Sequence, residues 1–172
     1  MLKLSIRNFC LILVFLSASA NIFSDDRAAK TQSMWLLTDS SGYYPGESFV
    51  AKVRYASSDK ALVTGLGIRI HFDSTQLELD AISDVLPISS IGVQVLEDQE
   101  DYDQQPSTDK YVNASWAELN GNWPREVDLP ATLLSMELTT TEAFTGSSIN
   151  ITISSTDVNF VGQAQNLSLL AN

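Results

Sequence analysis

Apolar residues at every second position dominate this sequence from residue 49 onward, and they constrain its fold more than any other feature. The alternation recurs in five runs: 49–55, 66–72, 112–116, 134–138 and 149–153. A period of two places successive side chains on opposite faces of a β-strand, so that one face packs into a core and the other meets solvent. The pattern predicts core positions at Val53, Leu66, Ile68, Ile70, Phe72, Trp116, Met136 and Ile151.

Turn-forming residues separate these runs, and no segment has the pattern of an amphipathic helix longer than two turns. The turn signals are Tyr44-Pro45-Gly46, Ser57-Ser58-Asp59, Asn120-Gly121-Asn122 and Gly146-Ser147-Ser148. Many short strands at regular spacing favour two packed sheets or a barrel. We therefore predict an all-β fold, a jelly-roll-like antiparallel β-sandwich of about eight or nine strands.

The N-terminal residues have the pattern of a signal peptide. Lys3 and Arg7 precede an apolar run at 9–16, and Ala18-Ser19-Ala20 supplies small residues for cleavage. The run is about half as long as a bilayer span, which argues against the alternative of a membrane anchor. Cys10 lies inside the run without the small residues that precede a lipidated cysteine, which argues against a lipoprotein.

These features predict the domain organisation and the localisation. Residues 1–20 are expected to be a signal peptide, 21–33 a short polar leader, and 34–172 one β-sandwich domain. The mature protein is then secreted, to the periplasm or the medium, with no membrane span after cleavage. Cys10 is the only cysteine, so the mature chain has no thiol and must be held together by its core.

The charge excludes one class of partner. The chain has 10 basic and 21 acidic residues, and removal of the two basic residues in 1–20 leaves a formal charge of −13. Nucleic acids bind to clustered Lys and Arg, so we expect no nucleic-acid partner. The excess of acid is explained either by solubility alone or by attraction for cations or a basic partner.

No catalytic constellation is evident, and we expect that the protein is not an enzyme. His71 is the only histidine, and the alternation predicts it beside Arg69 on the exposed polar face of a strand. A zinc site needs further His or Cys ligands, and a serine hydrolase needs a strained nucleophile turn such as G-x-S-x-G. Paired carboxylates could form a glycosidase, but the sequence does not single out a pair.

One acidic segment, Glu97–Asp109, is a candidate calcium site. It holds six acids in thirteen residues. Calcium takes six to eight oxygen ligands, and closely spaced carboxylates repel one another unless a cation or solvent relieves them. The predicted ligands are Asp101, Asp103 and Asp109, with Asp98 as a fourth. The alternative is a solvated acidic loop.

Aromatic residues at turns are candidates for a binding surface. Tyr43, Tyr44 and Trp123 fall at predicted turns, and with Arg69 and His71 they make up the predicted surface. Exposed aromatic rings stack on sugars and are enriched in interfaces. The alternative for Trp123 is that it folds back to cover one end of the sandwich.

The order of motifs resembles the cohesin domain, within the superfamily of carbohydrate-binding modules. Tyr44-Pro45-Gly46-Glu47 precedes the first long strand, and Phe72-Asp73-Ser74-Thr75-Gln76-Leu77 is similar to the cohesin pattern of a strand leading into Y/F-D-x-x-x-L. Residues 133–139, 144–146 and 149–153 resemble the strand, glycine, strand ending of that family. The segment 108–124 is similar to a subgroup in large secreted proteins of marine bacteria.

This resemblance implies a function in binding. Cohesins bind dockerins, which are calcium-loaded helical modules, through one face of the sandwich. We therefore expect a secreted adhesion or binding module with an extracellular, dockerin-like protein partner. The alternative is a module that binds polysaccharide. A row of exposed aromatic residues on one flat face would favour sugar, and a flat polar face without them would favour a protein.

Overall fold

Two β-sheets make up the structure, a computed structural model that describes residues 29–172. The five-stranded sheet has the order β10-β1-β3-β8-β5, and the six-stranded sheet has the order β2-β11-β9-β4-β7-β6. The strands are β1 (Thr31–Leu37), β2 (Gly42–Tyr43), β3 (Ser48–Ser57), β4 (Gly65–Phe72), β5 (Leu77–Ser83), β6 (Ser90–Glu97), β7 (Lys110–Ala117), β8 (Ala131–Thr140), β9 (Ser147–Ser155), β10 (Val161–Gln165) and β11 (Leu167–Ala171). A short 3-10 turn, Ser58–Lys60, follows β3.

The predicted fold class is confirmed, with two differences in detail. Residues 29–172 form eleven strands, more than the eight or nine predicted, because the strands β2, β10 and β11 are only two to five residues long. Such short strands leave little periodicity to read in a sequence. The pairings β1–β10 and β2–β11 are parallel, whereas the central ladders, including β3–β8, β4–β7 and β4–β9, are antiparallel.

The core lies between the two sheets, where the alternation placed it. All eight predicted core residues are at most 4% exposed. The alternation breaks in β8 at a β-bulge. Val53 of β3 pairs with Leu134 and Arg54 pairs with Thr132, so that Leu133 is an extra residue in β8. Leu133 and Leu134 are consequently both fully buried. A bulge of this kind adds one residue to one strand and bends it, which helps the sheet to curve over the core.

The domain begins earlier than predicted. Strand β1 starts at Thr31, so the polar leader predicted for 21–33 does not extend to 33. Gln32 is completely buried, and its amide donates to Tyr55 Oη (3.1 Å) and to the carbonyl of Gly65 (3.0 Å) while accepting from the N–H of Asp157 (2.8 Å). The polar side chain of Gln32 suggested an exposed position, but its hydrogen bonds connect the two sheets. The predicted signal peptide, 1–20, lies outside the described residues.

Strand β4 is central in the six-stranded sheet and is buried on both of its faces. Leu66, Ile68, Ile70 and Phe72 point into the core, and all residues of β4 except Arg69 are buried. The prediction that the second face of this strand meets water is therefore wrong. Within residues 29–172, no helix is long and apolar enough to cross a membrane.

We predict that Ile70→Asp unfolds the domain, because a buried charge without a partner costs several kcal/mol. That loss is comparable with the whole stability of about 5 to 15 kcal/mol expected for one domain. Val50→Asp is the matched control, since Val50 lies on the outer side of β3 and is 40% exposed. Near-UV circular dichroism and thermal melting check both variants. Equal melting of Ile70→Asp and wild type would show that the strand register is wrong.

Candidate functional site

The candidate site is the outer face of the six-stranded sheet, formed by the residues of β6, β7, β4 and β9 that point away from the core. The strand registers align these residues in three rows across the sheet. The first row is Leu96, Tyr111, His71 and Asn150; the second is Gln94, Asn113, Arg69 and Thr152; the third is Gly92, Ser115, Gly67 and Ser155. The face is therefore mostly polar, with small residues at one end.

A loop covers the first row. This acidic loop, residues 98–109, connects β6 to β7 and folds back over the sheet. The guanidinium of Arg69 lies 4.0 Å from the ring centre of Tyr102 and 5.9 Å from that of Tyr111. The rings of Tyr102 and Tyr111 meet edge to face at 5.8 Å. These contacts fix the middle of the loop against β4 and β7, and a cation over an exposed ring is worth about 0.5 to 1 kcal/mol.

His71 lies beneath this loop and has no exposed surface, so the prediction of an exposed strand histidine is wrong. Its Nδ1 is 2.7 Å from Asp98 Oδ2, and its Nε2 is 2.7 Å from Thr152 Oγ1. A carboxylate only accepts hydrogen bonds, so Nδ1 carries the proton and donates to Asp98. The imidazole therefore joins the central strand β4 to the loop and to β9.

Asp98 and Asp103 are the two loop residues that complete this cluster. Asp98 Oδ1 accepts from the N–H of Tyr102 at 3.2 Å, which closes the first turn of the loop. Asp103 accepts from Thr108 Oγ1 at 2.9 Å and from Asn150 Nδ2 at 2.8 Å, and its Oδ1 lies 4.0 Å from His71 Nδ1. The side chains of Asp98 and Asp103 are 0% and 2% exposed. Both carboxylates are thus enclosed and hydrogen-bonded.

The four predicted calcium ligands do not converge on one centre. Asp109 instead contacts the turn between β4 and β5. There its carboxylate accepts hydrogen bonds from Ser74 N–H (2.7 Å) and Ser74 Oγ (2.6 Å). Partial burial raises the pKa of the Asp109 carboxyl, but the bonds from Ser74 outweigh it and hold the pKa below its ordinary value. Asp101 Oδ1 is enclosed without a hydrogen-bond partner among residues 29–172. Calcium binding by this loop stays a prediction.

Asp98 and Asp103 instead come together with His71, which was not a predicted ligand. One potential ligand atom from each of the three lies within 4.8 Å of the others. Calcium takes oxygen ligands, so an imidazole in this position does not suit it. The hydrogen bonds described above also occupy these atoms. His71, Asp98 and Asp103 therefore form an anchor that holds the acidic loop on the sheet.

The same chain of contacts, Thr152–His71–Asp98, has the order of a hydroxyl, a base and a carboxylate. Nucleophilic catalysis requires in addition that a substrate reach the hydroxyl and the base, and that donors stabilise the oxyanion. His71 is fully enclosed, so a substrate cannot reach the imidazole while the loop is in place. The hydrogen-bond chain therefore supports a structural role.

The predicted binding surface is only partly exposed. Tyr43 is 2% exposed, and it stacks on Phe49 at 4.3 Å and donates to Asp39 at 3.0 Å. Burial raises the pKa of Tyr43 above its ordinary value. Tyr44 is 62% exposed, and Arg69 is half-buried under Tyr102. Tyr43 and His71 are thus too enclosed to contact a partner. Asp39 and Phe49 pack against Tyr43, and the acidic loop covers His71.

Trp123 is also excluded from the surface, and the alternative prediction for it is confirmed. It is completely buried between Tyr55 and Trp116, with ring centres 4.9 and 6.0 Å away. Its indole N–H donates to the carbonyl of Ile88 at 3.0 Å, and its backbone pairs with Val63. The Asn-Gly-Asn turn before it returns the chain to Val63, where the two backbones exchange hydrogen bonds.

Comparison with solved structures identifies the architecture. CaCohA2 of Clostridium acetobutylicum, in a complex with CaDoc0917, is 13% identical with a TM-score of 0.55, over 83% of this chain and 100% of that one. The sixth cohesin of Acetivibrio cellulolyticus scaffoldin B, in complex with a Cel5 dockerin, is 14% identical with a TM-score of 0.53, over 84% and 100% of the two chains.

The cohesin module of a Clostridium perfringens family 33 glycoside hydrolase is 11% identical with a TM-score of 0.51, over 83% of this chain and 98% of that one. The domain has the cohesin-like fold. No protein-family model and no curated protein matches the sequence. The likeness therefore concerns the fold of this cohesin-like domain.

We predict that Asp98→Asn destabilises the cohesin-like domain by about 1 to 3 kcal/mol, the range for a buried group that loses its partner. An amide cannot accept from both His71 and Tyr102, because only one of its two terminal atoms is an acceptor. Glu100→Gln is the matched control: it removes one charge from an exposed position in the same loop. Urea unfolding measures both. Equal stability of the two variants would contradict the anchoring role of Asp98.

Proposed function

We propose that this cohesin-like domain is a non-catalytic module that binds a protein partner through the open part of its outer face. The open part consists of the second and third rows, of which the acidic loop covers only Arg69, through the ring of Tyr102. Gln94 is exposed, and Asn113, Ser115 and Thr152 are half-buried, so their polar groups face outward from the sheet. Side chains that both donate and accept hydrogen bonds are suited to recognition of a protein surface.

The observation that carries this proposal is the polar surface of these rows, which has no row of exposed aromatic rings. Among residues 29–172, Tyr44 and Tyr102 are the aromatic side chains with more than 40% of their surface exposed, and neither belongs to the three rows. Sugar-binding faces depend on stacking against such rings. Polysaccharide binding therefore has weaker support, which comes from Trp35, half-buried opposite Arg54 on the outside of the five-stranded sheet.

Two of the similar structures support a protein partner. CaCohA2 was solved in complex with CaDoc0917, and the scaffoldin B cohesin in complex with a dockerin. We infer by this likeness that the partner here is a small, dockerin-like module. The formal charge of −11 on the whole chain also favours a partner with basic residues beside the acidic loop.

Capture from the producing organism's secreted fraction, followed by titration calorimetry with the captured protein, tests the proposal. Asn113 lies in the middle of the second row, and Asn113→Arg places a long charged side chain there. We predict that it weakens binding at least about tenfold, as changes in the centre of an interface do. Val50→Arg, on the outside of the other sheet, is the matched control and is expected to bind like wild type.

Two further arms separate the alternatives. Binding with calcium or with a chelator shows whether a cation takes part. A glycan array tests polysaccharide binding, and a glycan signal together with unchanged protein binding by Asn113→Arg would overturn the proposal.

We also propose that the chain is exported, on the signal-peptide pattern of 1–20. The mature protein is predicted to begin near Asn21, and N-terminal sequencing of the native protein checks this. An intact Met1 would contradict it.

A further inference from the structure

Strand β6 is an open edge of the six-stranded sheet. It pairs with β7 along one side, and among residues 29–172 no strand pairs with its other side. All of its residues except Val93 are exposed, including three large apolar ones: Ile91 at 70%, Val95 at 48% and Leu96 at 39%. The strand is eight residues long and carries no charge between Ser90 and Leu96. It therefore presents an apolar ribbon with unpaired backbone groups.

The register identifies which backbone groups are free. The N–H of Asp98 donates to the carbonyl of Asp109 at 2.8 Å, directly after the paired residues Glu97 and Lys110. In an antiparallel ladder, alternate residues point their N–H and C=O groups to the same neighbour. Gln94 and Leu96 therefore bond to β7. Val93 and Val95 point their N–H and C=O groups to the open edge.

The other long edge strand is protected in a way that β6 is not. Strand β5, at the end of the five-stranded sheet, carries Glu78 and Asp80, and charges on an edge strand discourage pairing with another chain. The edge strands β2 and β10 are only two and five residues long. In β6, a bulge near Ser90 lies at one end and Glu97 at the other. The stretch between them has no charge or bulge that would discourage pairing with another strand.

We propose that β6 pairs with β6 of a second copy of this chain, antiparallel about a two-fold axis at Gln94. Val93 of each copy then faces Val95 of the other, and the two pairs exchange their free N–H and C=O groups. The side chains of Val93 and Val95, which lie on the same side of the sheet as Ala114 and Val112, pack across the axis. The two six-stranded sheets become one continuous sheet.

The distribution of charge along β6 favours pairing about Gln94 and favours a second copy of this chain as the partner strand. Pairing about Gln94 places Glu97 opposite Ile91, so an acid meets an apolar residue. The two Glu97 residues are six positions apart along the strands, about 20 Å at the usual rise per residue. That distance exceeds the screening length of about 8 Å at physiological salt, so the two Glu97 carboxylates do not oppose association strongly. The uncharged segment 90–96 is thus complementary to itself.

Sedimentation velocity over a concentration series tests the proposal with the mature chain. Wild type is expected to be a monomer when dilute and a dimer when concentrated. Val95→Pro removes an N–H that β7 does not use, and proline is tolerated at such edge positions. We expect it to be monomeric at every concentration with an unchanged circular dichroism spectrum. Val95→Thr, which keeps the N–H and the branched shape, is the matched control and is expected to dimerise.

Amide exchange by NMR gives a second readout that does not depend on the proline variant. The N–H groups of Val93 and Val95 are expected to exchange fast in dilute wild type and slowly in concentrated samples, while Gln94 and Leu96 stay protected throughout. A wild type that is monomeric up to millimolar concentration would overturn the proposal. A Val95→Pro variant that dimerises like wild type would do the same. Neither result depends on the protein partner proposed above.

Discussion

The covered part of the outer face depends on the buried imidazole of His71, which holds the acidic loop on the sheet. The imidazole lies on the outer side of the central strand β4, and hydrogen bonds of 2.7 Å to Asp98 and to Thr152 satisfy both of its nitrogens. A buried polar group without partners costs about 1 to 3 kcal/mol, so the imidazole and the loop stabilise each other only when both are in place. This mutual requirement fixes the acidic loop on the sheet, and with it the extent of the open outer face.

The anchored loop explains how a strongly acidic segment can be ordered. The six acids of residues 97–109 do not share one environment. Asp98 and Asp103 are enclosed and accept hydrogen bonds from His71, Thr108 and Asn150, and Asp109 accepts two from Ser74. Hydrogen bonds to the charged form relieve a carboxylate without a cation. Glu97 and Glu100 remain in solvent, where repulsion is screened.

The core could be predicted from the sequence, and the candidate site could not. Alternation places Ile70 and Trp116 in the core whichever strand lies beside them. The outer face depends on strand order, because His71 meets Asn150 only when β9 lies next to β4. Its contact with Asp98 joins residues 27 positions apart in the sequence, and the acidic loop that contains Asp98 has no periodicity. The available signal for a polar row was the alternation of Asn150 and Thr152 with the isoleucines of β9.

Hydrogen–deuterium exchange of the acidic loop tests the central claim that His71 holds it on the sheet. In wild type, the N–H of Tyr102, bonded to Asp98, and the N–H of Thr108, bonded to the carbonyl of Gln105, should exchange far more slowly than in an unfolded chain. In His71→Leu, which keeps the bulk but removes both nitrogens, that protection should be lost while the amides of β3 and β8 stay protected. Exchange of Tyr102 and Thr108 at unfolded rates in wild type would contradict the account.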